Sequence, residues 1–155
     1  MLEFSGGPTI YQLITASGKV KEIHFSDYLK NNLKEVKKWV KGHNERFNWQ
    51  TFFENALALE GIENINEELT IREEILKKKI KKFLSCDAFQ EDPIHPKYRG
   101  YYDVISSNFV SESITNSKKA WKNIMKNITS MLKEGGILVI TFLKDAEYYK
   151  IGDKV

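Results

Sequence analysis

The sequence predicts an α/β domain: a mostly parallel β-sheet with helices on both faces. Three observations point there. Strand-like and helix-like stretches alternate through most of the 155 residues, the pattern of a parallel sheet joined by crossover helices. The first strand-like stretch runs directly into a glycine turn and then a helical pattern. The most apolar run, Ile137-Leu138-Val139-Ile140, reads as a central strand buried on both faces.

Residues 2–5 form a strand stub leading into the Ser5-Gly6-Gly7 turn. Pro8 suits the first position of a helix, where its missing N–H has no partner to lose. Ile10, Leu13 and Ile14 continue at helical spacing until Ser17-Gly18. Residues 20–25 form a short strand ending at Ser26-Asp27. From Leu29, the apolar residues Leu33, Val36, Trp39 and Val40 make one helix face with lysines opposite, and Gly42 stops it. Residues 49–59 form another helix, ended by Gly61. Residues 67–79 are charged, with Ile71, Ile75 and Leu76 at helical spacing, and lead into a strand over residues 80–86 that ends at Asp87. Residues 90–100 hold Pro93 and Pro96 and form a loop. Residues 102–109 make the next strand. Trp121, Ile124, Met125, Ile128 and Leu132 mark a helix over residues 114–132, and Gly135-Gly136 launches the last strand.

Composition narrows the class. One domain over residues 1–155 is expected at this length. An apolar fraction of 41% with 29% charged residues belongs to a chain that folds. A net charge of +3 does not by itself call for nucleic acid. The lysine groups (Lys34, Lys37, Lys38, Lys41; Lys77, Lys78, Lys79, Lys81, Lys82) are either a nucleic-acid patch or solvated helix faces. They interleave with Glu35, Glu73 and Glu74 and lack a stacking motif, which favours solvated faces. The single cysteine, Cys86, excludes an internal disulfide framework, fits a reducing compartment, and is a packed strand residue rather than a nucleophile. No apolar run reaches the ~20 residues that cross a bilayer, and no basic-then-apolar leader opens the chain. A cytoplasmic location is expected. His24, His43 and His95 are scattered, so no metal site is expected.

The strand ends carry the chemistry. Ligands of an open parallel sheet sit at the carboxyl ends of its strands, near the point where strand order reverses. Here those ends are Glu3 with the glycine turn, Asp27, Asp87, and Ser106-Ser107-Asn108. A glycine turn lets backbone approach a ligand closely. An acid ending the second strand, roughly 20 residues past the turn, suits the hydroxyls of a ribose. An acid after the third strand can take the exocyclic amine of adenine. Each acid taken singly also suits a helix N-cap, but three at strand ends favour an adenosine ligand. The turn has no third glycine, and Pro8 removes an N–H that a pyrophosphate would use. A cofactor without phosphate fits better, and S-adenosylmethionine is the expected one.

Several segments are similar to one family. GPTIYQL (residues 7–13) resembles the first motif of the small-molecule N-methyltransferases, the group of nicotinamide, phenylethanolamine and indolethylamine N-methyltransferases. SDYLKNNLKEVKKWV (26–40), FNWQ, CDAFQ (86–90), LKEGGILVI (132–140) and YYKIG (148–152) continue the resemblance in the family's order, almost end to end. It implies a Rossmann-like methyltransferase fold that binds S-adenosylmethionine and methylates the nitrogen of a small amine or heteroaromatic acceptor. It implies a small-molecule partner, no nucleic acid, no membrane and a monomer. It also implies segments before the first strand and after the last, so the chain is expected to be a core truncated at both ends. Carried over by position, Asp27 with Tyr28 would hold the ribose, and Asn32 would support the ribose or methionine region. Tyr11 would pack against the cofactor's amino-acid end, which meets the turn near Glu3, Ser5 and Gly7. Asp87 and Ala88 would meet adenine, and Asn108 would lie by the sulfonium.

The departures are specific. The family's first motif reads Asp-x-Gly-Ser-Gly-Pro, whereas this chain has Glu3-Phe4-Ser5-Gly6-Gly7-Pro8. Phe142 stands where the nicotinamide enzyme has an acid, and Ala146 where it has a serine, which argues against nicotinamide as acceptor. Methyl transfer is an in-line displacement in which alignment is the protein's main task. A base is needed only for an acceptor that arrives protonated. Glu112 is the first candidate, with Asp145 and Glu147 behind it; the last two are otherwise solvent-exposed loop acids. The alternative to an enzyme is a catalytically inactive remnant or binding module of the same fold. A nicotinamide-dinucleotide oxidoreductase is disfavoured by the turn.

Overall fold

The structure, a computed structural model, describes residues 1–144. Five strands form one sheet: β1 (Leu2–Glu3), β2 (Ile23–Asp27), β3 (Ile80–Ser85), β4 (Tyr102–Asn108) and β5 (Leu132–Thr141). Their order is β3-β2-β1-β4-β5 and every pairing is parallel. The chain builds outward from β1 to β3, then crosses back to lay β4 on the other side of β1. Leu2 therefore pairs with His24 on one side and Ile105 on the other. Strand order reverses between β1 and β4, which opens a crevice at their carboxyl ends. This is the expected α/β sheet of a Rossmann-like methyltransferase.

Among the described residues, five α-helices accompany it: α1 (Ile14–Ser17), α2 (Lys30–Val40), α3 (Gln50–Leu59), α4 (Ile65–Lys79) and α5 (Lys118–Thr129). In α2, Leu33, Val36 and Trp39 are buried at helical spacing while the lysines face out. Ile10, Leu13, Phe25, Leu33, Trp39, Phe53 and Leu76 build one core, between the sheet and α1–α4. Leu2, Phe4, Tyr98, Ile105, Ile124 and Ile128 build the other, under α5. Arg72 is buried in α4, and its guanidinium meets Glu60 at 3.0 Å and Glu68 at 3.3 Å. Such a cation stays inside only when paired. Lys38 and Lys77 pair with glutamates three and four residues away, as solvated helix faces do. No described helix is long and apolar enough to cross a membrane.

Three expectations are corrected. The run Ile137-Leu138-Val139-Ile140 is not central and not buried on both faces: β5 ends the described strand order, and Ile137 and Val139 are 60% and 50% exposed. Only alternate residues such as Leu138 turn toward α5. The central strand is β1, whose Leu2 and Glu3, with the following Phe4, are fully buried. Pro8 does not open a helix. It lies in a turn, and a 3-10 turn at Tyr11–Leu13 precedes α1. Thr9 Oγ1 donates to the Gly6 carbonyl at 2.9 Å and closes that turn locally. The helix expected over residues 114–132 is shorter, because the Ser117 hydroxyl accepts the Ala120 N–H and caps α5 at Lys118. At its other end Leu132 already belongs to β5.

Candidate cofactor site

The glycine turn sits on β1 at the sheet's centre and is held from three sides. The Gly6 N–H donates to the β2 carbonyl of Ser26 at 3.0 Å, and the Phe4 N–H to the β4 carbonyl of Ser106 at 2.8 Å. Gln12 reaches back from the 3-10 turn, its amide donating to the Gly6 carbonyl at 3.1 Å and to Glu3 Oε1 at 3.2 Å. A β-carbon on Gly6 would lie 2.5 Å from the Phe25 ring and 2.8 Å from Glu3 Cγ, so only glycine fits there. Among the described residues, two non-glycine residues have left-handed backbone, Ser5 (φ 55) and Phe109 (φ 58). They follow β1 and β4, the two strands that flank the reversal. Each such conformation costs roughly 1–2 kcal/mol for an L-residue, and strain of this kind gathers at functional sites.

Beneath the turn lies Glu3, fully buried. Burial pushes its carboxyl up to about 7, against the hydrogen bonds from Ser106, Gln12 and Asn108, which favour the ionised form. Its Oε2 has no hydrogen-bond partner. Asn108 Nδ2 stands 3.5 Å from Glu3 Oε1 and donates to Ser106 Oγ at 3.1 Å. The end of β4 is thus tied to the same carboxyl.

Asp27 closes the other flank. Its Oδ2 accepts the Gly7 N–H at 2.8 Å. Its Oδ1 accepts the Leu29 N–H at 2.8 Å and the Asn32 side-chain amide at 2.9 Å. One carboxylate therefore joins the glycine turn to the start of α2. A carboxylate offers about four lone-pair positions; three are taken, and the one left is on Oδ2.

Ser5, Tyr28, Asp87, Ala88, Phe89, Val110 and Ile114 enclose a cavity of about 320 Å³ beside this network. Four of these residues were expected at the cofactor (Ser5, Tyr28, Asp87 and Ala88), and the structure brings them together. Asp87 is committed to its own loop: Oδ1 accepts the Phe89 N–H at 2.9 Å and Oδ2 the Gln90 side-chain amide at 3.2 Å. Ser5 Oγ touches Cys86 Sγ at 3.6 Å on the cavity's inner side. Burial pushes that thiol up, so it is not a ready nucleophile.

Other expected residues lie elsewhere. Tyr11 is outside the cavity lining and stacks on Phe52 at 5.7 Å, beside Trp49 and Phe47. Glu112 Oε1 accepts the Leu143 N–H at 3.1 Å, joining the loop after β4 to the exit of β5, while its Oε2 is buried without a partner. Asp145 and Glu147 lie outside the described residues. The apolar walls Phe89, Val110 and Ile114 were not anticipated. The signal for Phe89 was its place directly after Asp87-Ala88. Ile114 was hidden by its assignment to a helix. Among the described residues, no group of three or more histidines, cysteines or acids could hold a metal ion.

Comparison with known proteins adds the lineage. Human nicotinamide N-methyltransferase is 32% identical over 154 residues, which is 99% of this chain and 57% of that protein. Rabbit (Oryctolagus cuniculus) indolethylamine N-methyltransferase is 30% identical over the same shares. Human phenylethanolamine N-methyltransferase is 24% identical over 99% of this chain and 54% of its own length. The chain spans about half the length of the curated relatives it matches. The family profile described as NNMT/PNMT/TEMT matches residues 1–155. The chain belongs to the NNMT/PNMT/TEMT family of small-molecule N-methyltransferases.

Proposed function

We infer that this chain is the cofactor-binding core of an S-adenosylmethionine-dependent N-methyltransferase for a small amine or heteroaromatic acceptor. One observation carries the reading. At the point of strand reversal, the glycine turn, Asp27 and a 320 Å³ cavity adjoin in a member of an N-methyltransferase family. The residues fit the group. Asp27 Oδ2 keeps one acceptor position for a ribose hydroxyl, and Asn32, held by Asp27 Oδ1, is placed for the other. Phe89, Val110 and Ile114 supply apolar walls for adenine beside Ala88, and Asp87 holds that wall's loop in shape. Ser5, Gly7 and Asn108 receive the amino-acid end and the sulfonium, with Glu3 buried behind them.

Bound there, S-adenosylmethionine would supply an electrophilic methyl group activated by its sulfonium. This chain's residues orient and desolvate. The buried turn excludes water on one side, and the three-bond clasp at Asp27 fixes the turn before any ligand binds. Glu112, with a buried unpaired oxygen, is the described acid available to an acceptor amine; Asp145 and Glu147 remain proposed for the same end. Ser5, strained and with its hydroxyl against Cys86, favours a second reading in which the cavity binds without turnover. Calorimetric titration with S-adenosylhomocysteine, with NAD as control, tests the assignment. Binding of the first alone, abolished in Ile114→Trp, supports it. A folded chain that binds neither refutes it.

A further inference from the structure

Glu3 is an unusual group to find at the centre of a sheet. It is fully buried, one of its oxygens has no partner, and no salt bridge reaches it from any described lysine, arginine or histidine. Every side chain bonded to its carboxyl is neutral: Gln12 from the 3-10 turn, and Ser106 and Asn108 from β4. From β2, Ser26 donates to its backbone carbonyl at 3.0 Å, and Asp27 binds the same turn through Gly7. An ionised carboxyl in such a place lacks a counter-charge, and a buried charge is costly unless it is paired. The carboxyl therefore either stays protonated or needs a cation that arrives from outside the chain.

We propose that Glu3 is the buried counter-charge for a ligand cation at the strand reversal, staying protonated in the empty site and ionising when that cation binds. The inference rests on the cofactor reading above and deepens it. Glu3 does not touch the ligand directly, because it is fully buried and does not line the cavity. It acts through the field and through Asn108, which makes it a positioning residue. The proton leaves to solvent as the ligand enters and returns as the charge leaves. S-adenosylmethionine carries a sulfonium charge that S-adenosylhomocysteine lacks. The site therefore favours the charged ligand over the neutral thioether more strongly as pH rises, and it helps release the product.

The test counts protons. The 155-residue chain is titrated calorimetrically with each of the two ligands near neutral pH, in buffers of different ionisation enthalpy. Burial raises the Glu3 carboxyl to about 7, so part of the sites is protonated at that pH. S-adenosylmethionine should then release a measurable fraction of a proton per site, and S-adenosylhomocysteine much less. In Glu3→Gln that difference should vanish, and affinity for S-adenosylmethionine should fall roughly 3- to 10-fold while affinity for the thioether barely changes. Equal proton release by the two ligands on the unaltered chain overturns the proposal without any variant having to fold. A difference that persists in Glu3→Gln overturns it as well. A folded chain that binds neither ligand overturns the cofactor reading and this inference together.

Discussion

The two halves of the sheet are stabilised differently. On the β1–β2 side, backbone turns are tied down by side chains: Asp27 accepts three N–H groups, and Gln12 spans Glu3, Gly6 and Thr9. On the β4–β5 side single contacts join pairs of elements instead, as where Lys133 meets Asp103 at 2.8 Å and Trp121 donates to Ser111 at 3.2 Å. Glu112 makes a single hydrogen bond to the exit of β5, and the face of β5 away from α5 presents Ile137 and Val139 to solvent. The first half is a frame that fixes the glycine turn. The second meets its neighbours mainly through its α5 face. Shape is built where contacts saturate, and the cavity uses both halves, with Ser5 and Tyr28 from one and Val110 and Ile114 from the other.

Five substitutions test that contrast, from the largest effect to the smallest. Gly6→Ala places a methyl group 2.5 Å from the Phe25 ring, and should cost about 3 kcal/mol in urea unfolding. Asp27→Ala strands three N–H donors, two of them backbone. It should cost about 2 kcal/mol, whereas Glu112→Ala should cost well under 1 kcal/mol. That asymmetry also means that loss of ligand binding in Asp27→Ala must be read beside its unfolding curve. Glu3 supplies a pH test. Its carboxyl is held at about 7 in the folded chain against 4.5 for an unburied glutamate. The folded state thus binds the proton more tightly, so this contribution to stability is full below about pH 4.5 and is lost as pH rises through about 7. Glu3→Gln should flatten the fall in melting temperature between about pH 5 and pH 8. The smallest effect belongs to β5: Ile137→Thr should change stability by less than about 0.5 kcal/mol, where a strand buried on both faces would lose several times more.

Much of this was legible in the residues. Alternating strand and helix patterns give the parallel sheet, because crossover helices impose that order. The acid at Asp27 and the turn at Gly6-Gly7 mark the carboxyl ends of the central strands, because strand ends and glycine turns leave local signals. Strand order leaves none. Ile137 and Val139 belong to an apolar run that is equally compatible with a centre or an edge, and only pairing partners decide. Side-chain commitments were also invisible. Nothing in the spacing shows that Asp87 is engaged by its own loop, or that Glu112 holds the Leu143 N–H. The helical spacing that hid Ile114 begins before the true start of α5, and only the Ser117 cap reveals the boundary.

The central claim is a location: an adenosine ligand at the carboxyl ends of β1 to β4. The most direct test is an amide NMR titration of the labelled chain with S-adenosylhomocysteine. The account predicts shifts at Gly6, Gly7, Tyr28, Ala88, Phe89 and Ile114, with Ile137 and Val139 unmoved. Shifts confined to other parts of the chain, or none at saturating ligand in a folded sample, would contradict it.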